Sequence, residues 1–276
     1  MNKIKLMING LPGNVAEIIC RYALKDPRFN VLPYSLTGPD ITKEYHDVEG
    51  VSFTLIKPDQ RAASIRQISE NEGLFITVDY THPSAVNANA DFYCANALPF
   101  VMGTTGGDRK SMHDRVIASS IPAVISPNMA KQIVGLMAMM EYAAENFPGL
   151  FTGYTMDVKE SHQSWKADTS GTAKAMIGYF NRLGVEFTED DIQMERNPEN
   201  QKNLWNIPEQ YLDGHGWHTY TLDSADKTSR FAITHNISGR DIYADGTLDA
   251  VVFLHGKVKE KIKGRVYSMI DVLKNV

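Results

Sequence analysis

Cysteine is scarce in this chain: among 276 residues there are only Cys20 and Cys94. Both stand among apolar residues with helical periodicity, so they read as buried free thiols in a reducing compartment. No cysteine spacing suits zinc, and no metal site is expected. A basic run is also missing. The 28 Lys and Arg are dispersed and the net charge is −5, which removes the electrostatic case for nucleic acid. Small anions remain open as ligands, because a few cations or a helix end suffice to bind them. No apolar stretch is long enough to cross a membrane. The segment Met1–Gly10 lacks the basic start, apolar run and cleavage site of a secretion signal. The chain is therefore expected in the cytoplasm, soluble and without a membrane partner, with the plastid as the alternative if a transit peptide once preceded it. There is no internal repeat and no low-complexity segment.

What is present is ordinary for a globular protein, 43% apolar and 22% charged, and the length suits two domains. Short apolar strands alternate with helices through the first half. Strands are expected at Ile4–Asn9, Asn30–Leu36, Val51–Ile56, Phe75–Tyr80, Phe100–Gly103 and Ala123–Ser126. Helices are expected at Val15–Leu24, Asp59–Glu70, Ser84–Ala97 and Asp108–Ser119. This grammar implies a Rossmann-like, doubly wound parallel sheet in an α/β fold. Lys131–Phe147 reads as a Met- and Ala-rich helix whose methionines fill a core. Beyond Pro148-Gly149 the pattern changes. Strands at Tyr154–Glu160, Trp217–Leu222 and Arg230–Ile237, with a helix at Thr172–Leu183, suggest an α+β domain with an open mixed sheet. A helix at Thr247–Lys261 and a short tail close the chain.

The first strand runs into Gly10-Leu11-Pro12-Gly13-Asn14-Val15-Ala16, a G-x-x-G-x-x-A turn at a helix start. Glycine is wanted where a pyrophosphate approaches the backbone, and the helix start offers free N–H groups and a favourable dipole. Pro12 replaces the second glycine of the usual dinucleotide pattern, and a tight turn with no ligand is the structural alternative. The second strand ends in Tyr34-Ser35-Leu36-Thr37-Gly38. An acidic residue there would favour NAD; its absence leans towards NADPH over NADH, although no arginine stands beside Thr37 in sequence. Tyr80-Thr81 and Gly103-Thr104-Thr105 follow later strands, at the sheet edge where such folds bind ligands.

The densest chemistry lies between Glu160 and Ala173. His162 can exchange a proton near neutral pH. Lys166 adds a compact positive charge. Ser170-Gly171-Thr172 at a helix start offers hydroxyls and unpaired N–H groups, a cradle for a carboxylate. Each residue alone has a structural reading, as cap, surface charge or surface histidine. Their convergence on one strand-to-helix loop favours a small carboxylated substrate that gains a proton. Further on, His215, His218 and His235 add imidazoles, and Arg240 could grip a carboxylate or make a structural ion pair.

Together the first glycine turn, Gly103-Thr104-Thr105-Gly106, Ser126-Pro127-Asn128-Met129 and the H-x-x-x-K-x-D-x-S-G-T-A segment from His162 to Ala173 resemble the dihydrodipicolinate reductases. The resemblance covers nearly the whole chain, and Gln163 after His162, with Thr169 directly before Ser170, is similar to the plant-type branch. It implies NAD(P)H-dependent reduction of the cyclic imine from 4-hydroxy-tetrahydrodipicolinate in lysine biosynthesis. It implies that Gly10, Gly13, Asn14 and Val15 form the pyrophosphate turn and that Gly103, Thr104 and Thr105 form the nicotinamide-side loop, with Asn128 and Met129 close by; Thr37, Tyr80, Thr81 and Pro127, from their places in the sequence, are further cofactor candidates. His162 is implied as general acid, Lys166 as a substrate-binding and catalytic lysine, and Ser170, Gly171 and Thr172 as the carboxylate cradle; Arg240, from its charge, is a further substrate-binding candidate. Residues 1–130 with 241–276 would form the dinucleotide-binding domain, and 131–240 the substrate-binding and oligomerisation domain. A homodimer is expected, with a tetramer as the alternative. Two other readings compete: another two-domain NAD(P)-dependent dehydrogenase, and a cofactor-binding redox sensor without catalysis.

Overall fold

A computed structural model describes residues 3–275. The chain divides into two compact units, Met1–Lys131 with Asp241–Val276, and Gln132–Arg240.

In chain order the first unit carries β1 (Ile4–Asn9), α1 (Asn14–Lys25), β2 (Phe29–Val31), β3 (Tyr34–Leu36), β4 (Tyr45–Val48), β5 (Val51–Ile56), α2 (Arg61–Glu72), β6 (Ile76–Asp79), α3 (Val86–Ala95), β7 (Phe100–Met102), α4 (Arg109–Ile117) and β8 (Pro122–Ile125). The second carries α5 (Lys131–Asn146), β9 (Thr155–His162), α6 (Gly171–Arg182), β10 (Gln193–Glu195), α7 (Pro198–Asn203), β11 (His215–Asp223) and β12 (Arg230–Ser238). The chain then returns to the first unit with α8 (Ile242–Lys259), β13 (Arg265–Tyr267) and α9 (Met269–Leu273).

Six parallel strands form the first sheet in the order β13-β8-β7-β6-β1-β2. Every residue of β6, β7 and β8 is buried, as expected of parallel strands covered on both faces. On one face Ile65 and Ile68 of α2, Tyr93 of α3 and Met112 and Val116 of α4 pack with Met7, Phe100 and Ala123. On the other, α1 and α8 lie against one another, with α8 over β6, β7 and β8. The expected strand Asn30–Leu36 is two strands. Pro33, which has no N–H to give a ladder, separates β2 in the large sheet from β3 in a three-stranded sheet ordered β3-β5-β4. The expected tail is ordered too. Three residues, too few to show a period, form β13, and a capping box of Ser268 and Asp271 starts α9. Helix α8 starts at Ile242, ahead of the expected Thr247, and runs through Gly246. A Cβ at Gly246 would overlap the Met129 carbonyl, so this glycine marks close packing and not a helix boundary.

The second unit has a mixed sheet ordered β10-β9-β11-β12, with β9 and β10 parallel and β11 antiparallel to both β9 and β12. Ala173, Met176, Ile177 and Phe180 of α6 cover one face, packed on Val158, Tyr220 and Leu222. Met137 and Met140 of α5 join that core, whereas Met139 is exposed. Cys20 and Cys94 are free and buried, and burial pushes the Cys20 thiol up to about 12.

Candidate active site

Parallel strands bring their carboxyl ends to one edge, and this edge gathers most of the expected cofactor residues. Gly10 follows β1 at φ +111, and a Cβ there would fall on the Tyr80 carbonyl. At Gly13 a Cβ would stand 2.7 Å from the Gly10 oxygen. Gly13 is the N-cap of α1 and provides no side-chain cap, so the first-turn N–H groups at Asn14 and Val15 are left to an outside acceptor. The turn is sewn to β3. Leu11 N donates to Ser35 Oγ (3.2 Å), Thr37 Oγ1 donates to the Leu11 carbonyl (2.8 Å), and Leu36 N donates to Asn9 Oδ1 (2.9 Å). Thr37 thus holds the turn with its hydroxyl proton.

A cavity of about 600 Å³ opens beside this turn, lined by Gly10–Gly13, Leu36–Ile41, Arg61, Thr81, His82, Ser84 and Asn89, among others. Two of these carry charge. Asp40, beyond the strand, supplies a carboxylate, and Arg61, from the start of α2, supplies a cation. Arg61 lies over the Phe92 ring at 4.5 Å and donates to Asn89 Oδ1 (3.3 Å). Sequence inspection around Thr37 could not find Arg61, because only the fold places α2 there.

The loops after β6 and β7 are organised by the carboxylate that ends β6. Asp79 is fully buried. Its Oδ1 accepts from Thr81 N (3.1 Å), Thr81 Oγ1 (2.8 Å) and Thr104 Oγ1 (2.7 Å). Its Oδ2 accepts from Asn89 Nδ2 (3.0 Å) and Tyr93 OH (2.7 Å). The Tyr93 oxygen accepts from Asn9 Nδ2 at 3.0 Å, tying the network to the glycine turn. Tyr80 packs under Gly103, where any Cβ would strike its ring, and its hydroxyl meets Thr247 Oγ1 at 2.7 Å. Burial pushes that phenol up. Thr105 and Pro127 are exposed, and Asn128 is half-buried with Oδ1 accepting from Ala130 N (2.9 Å). Met129 is a core side chain, 1% exposed, so it can offer a ligand only its backbone.

In the second unit, β9 ends in Glu160, Ser161 and His162, all buried in the middle of the sheet. The register sets His218 opposite both Glu160 and His235, and Gly216 opposite His162. A Cβ at Gly216 would stand 2.9 Å from His162 Cε1, so glycine there lets the imidazole lie flat on the strand. His162 Nδ1 lies 3.2 Å from the His215 carbonyl and must donate to it. Its Nε2, 3.3 Å from His218 Nε2, then accepts. His235 stacks on His218 with centroids 4.6 Å apart. Burial, then repulsion from His218, lowers His162 to about 4, against an opposing pull from Glu160. The same two causes lower His235 to about 4. Burial pushes Glu160 up, but hydrogen bonds from His218 and Arg196 outweigh it and hold the carboxyl at about 2.

The expected reactive loop follows. Lys166 Nζ pairs with Asp168 Oδ1 at 2.6 Å. Ser170 caps α6, its Oγ accepting from Thr172 N (3.2 Å), while Ser170 N donates to Glu160 Oε2 (3.3 Å). The cradle therefore differs from the expectation. The N–H groups left over at the helix start are those of Gly171 and Ala173, with the hydroxyls of Ser170 and Thr172 beside them. Around Gly171 a Cβ would meet nothing within 4 Å. Arg240 lies just past β12, at the sheet end that carries His162, and makes no hydrogen bond or ion pair among the described residues. Glu160, His162 and His218 place three ligand-type atoms within 4.8 Å of one another. The Glu160 oxygens already serve Arg196 and Ser170 N, so a cation there would face a guanidinium.

Two family models match the chain in sequence, "Dihydrodipicolinate reductase, N-terminus" over residues 4–129 and "Dihydrodipicolinate reductase, C-terminus" over residues 133–273. The chain belongs to the dihydrodipicolinate reductase family. Relatives within it include 4-hydroxy-tetrahydrodipicolinate reductase 1, chloroplastic, of Arabidopsis thaliana, 44% identical over 99% of this chain and 78% of that one. A probable 4-hydroxy-tetrahydrodipicolinate reductase 1, chloroplastic, of Oryza sativa subsp. japonica is 41% identical over 98% and 78%. Among solved structures, the dipicolinate-bound dihydrodipicolinate reductase from Paenisporosarcina sp. TG-14 shares the fold at a TM-score of 0.64, with 18% identity over 97% of this chain and 98% of that one.

The family's motif segment was legible because its residues are contiguous. His218, His235 and Arg196 were not gathered with it, because cross-strand register assembles them around Glu160 and His162. The alternation His218, Tyr220, Leu222 along β11, all buried, is the signal that could have placed His218 on the inner face.

Proposed function

We propose that the chain reduces the cyclic imine formed when 4-hydroxy-tetrahydrodipicolinate loses water, giving tetrahydrodipicolinate in the diaminopimelate route to lysine. It is an NAD(P)H-dependent oxidoreductase. The observation that carries the site reading is the convergence of Lys166, the Ser170-Gly171-Thr172 helix start and the buried His162 at one end of β9. The glycine turn fits a pyridine nucleotide: no Cβ can be accommodated at Gly10, the α1 terminus is uncapped, and a 600 Å³ cavity adjoins it. Bound there, the nicotinamide supplies the hydride. Gly10, Gly13, Asn14 and Val15 would hold the pyrophosphate, Thr81 and Gly103–Thr105 the nicotinamide side, and Pro127–Met129 would contribute backbone.

A dicarboxylate is held by complementary charge and N–H groups. Lys166 must leave Asp168 to grip one carboxylate, while Gly171 N–H and the Ser170 and Thr172 hydroxyls take its oxygens. His162 delivers the proton. The substrate's negative charge favours the imidazolium, raising a group that burial otherwise holds near 4. Arg240, with no hydrogen bond or ion pair among the described residues, suits the second carboxylate. Residues of the first unit bind cofactor, and those of the second bind substrate and associate. The plant-type resemblance favours a homodimer, with a tetramer as the alternative. Arg61 supports NADPH, since a guanidinium matches a 2′-phosphate, while Asp40 on the same cavity is the acidic group that keeps NADH as the alternative. The compartment is the cytoplasm, with the plastid of the Arabidopsis relative's name as the alternative.

Competition by pyridine-2,6-dicarboxylate tests the substrate reading. It should inhibit against substrate, and Lys166→Ala should weaken that inhibition by about 10-fold or more, the scale of a lost charge-assisted hydrogen bond. Undiminished inhibition in the variant would remove Lys166 from the site.

A further inference from the structure

The loop from Gln163 to Ser170 carries the proposed substrate groups, yet its own contacts are sparse. Within it, Lys166 N donates to Gln163 O (3.0 Å) and Lys166 pairs with Asp168. Its shape is imposed largely from outside by Arg196, just past β10. Arg196 Nε donates to the Lys166 carbonyl (2.8 Å), Nη1 to the Glu195 carbonyl (3.0 Å), and Nη2 to the Asp168 carbonyl (3.4 Å) and to Glu160 Oε1. The other oxygen of Glu160 accepts Ser170 N at 3.3 Å. Glu160 is wholly buried and the Arg196 side chain is 18% exposed. A planar fork reaches four oxygens at once, which the compact ammonium of lysine cannot do.

We infer that Arg196, acting through Glu160, is a positioning residue for the reductase reaction. It fixes the backbone on either side of Lys166 and, through the Glu160 carboxylate, the N–H that starts the α6 cradle. It touches neither substrate nor cofactor itself. Because a shift of about 1 Å can cost 10²-fold in rate, loss of this brace acts on dicarboxylate recognition and leaves the nucleotide site alone. The inference rests on the substrate reading given above.

The experiment compares wild type, Arg196→Lys and Arg196→Ala. It measures kcat and KM for the imine generated in situ, inhibition by pyridine-2,6-dicarboxylate, NADPH affinity and melting temperature. Arg196→Ala should raise both KM and the inhibition constant at least about tenfold, as expected for a displaced charge-assisted contact, with NADPH affinity within twofold. Arg196→Lys should resemble Arg196→Ala more than wild type. Guanidinium ion at non-denaturing concentration should restore part of the loss in Arg196→Ala and none in Lys166→Ala. Wild-type KM and inhibition in Arg196→Ala, whatever its melting temperature, overturns the proposal. So does a fully active Arg196→Lys, and that variant decides the matter if Arg196→Ala does not fold. Failure of the wild type to bind the dicarboxylate would instead strike the substrate reading.

Discussion

His235 offers a quantitative test of the buried histidine cluster. Neither of its ring nitrogens has a hydrogen-bond partner, and both are buried. Burial first, and His218 second, lower it from 6.5 to about 4. The folded state therefore binds fewer protons than the unfolded chain between those values. The stability tied to this imidazole is fully present above pH 6.5 and is lost as pH falls towards 4. At one pH unit per about 1.4 kcal/mol, the loss between pH 7 and pH 5 is about 2 kcal/mol for His235. His162, also lowered to about 4, adds a similar amount, reduced because the two share His218. Glu160, held at about 2 against an ordinary 4.5, loses its contribution only below pH 4.5, so the windows separate. His235→Phe keeps the stack on His218 and Tyr220 and removes one titrating ring. It should match or exceed wild-type stability at pH 7, since an unpartnered buried polar group costs about 1–3 kcal/mol. Its loss from pH 7 to pH 5 should be smaller by about 2 kcal/mol. Urea unfolding followed by tryptophan fluorescence is the assay, because Trp165, Trp205 and Trp217 are the chain's three tryptophans and all lie in Gln132–Arg240. Parallel pH dependences in the two proteins would refute the assignment of His235 as a buried neutral imidazole.

Other outcomes follow from single contacts. Asp79→Asn sets an amide N–H₂ against donors on one side of the network, Asn89 and Tyr93 or Thr81 and Thr104. It should cost about 2–4 kcal/mol and weaken nucleotide binding, read by melting temperature and NADPH titration. Gly246→Ala drives a Cβ into the Met129 carbonyl and should destabilise by about 1–3 kcal/mol or more, as overpacking does; a neutral melt would contradict the packing. Arg61→Ala should lower the NADPH to NADH preference, measured as the ratio of the two kcat/KM values. His162→Gln should lower kcat by about 10²–10⁴-fold with modest change in KM, the range for a lost general acid.

How much was legible depended on whether a feature is local. The strand–helix alternation of the first unit could be read because strands such as Phe100–Met102 and Pro122–Ile125 are short apolar runs bounded by turns. The glycine turn and the His162–Ala173 segment were readable because their chemistry is contiguous. Pieces of three residues, such as β10 and β13, show no period and escaped notice. Pro33 inside an expected strand was a visible warning that went unused. The site's supporting residues were the hardest. Asp79, Arg61, Arg196 and His218 join partners 10 to 56 residues away in sequence, and only register and helix placement bring them together. Ser170 shows the limit within a motif. Its hydroxyl caps α6 and its N–H serves Glu160, so the free donors are displaced by one residue from those the motif suggests.

The central claim is reduction of a dihydrodipicolinate-type imine by a pyridine nucleotide. The most direct measurement is oxidation of NADPH, and separately NADH, by the purified chain, with substrate generated from pyruvate and aspartate semialdehyde by the preceding synthase. The account predicts oxidation that depends on the synthase, with a higher kcat/KM for NADPH. Measurable cofactor binding without synthase-dependent oxidation of either nucleotide would contradict it, and would turn attention to another carbonyl or imine substrate or to a sensor.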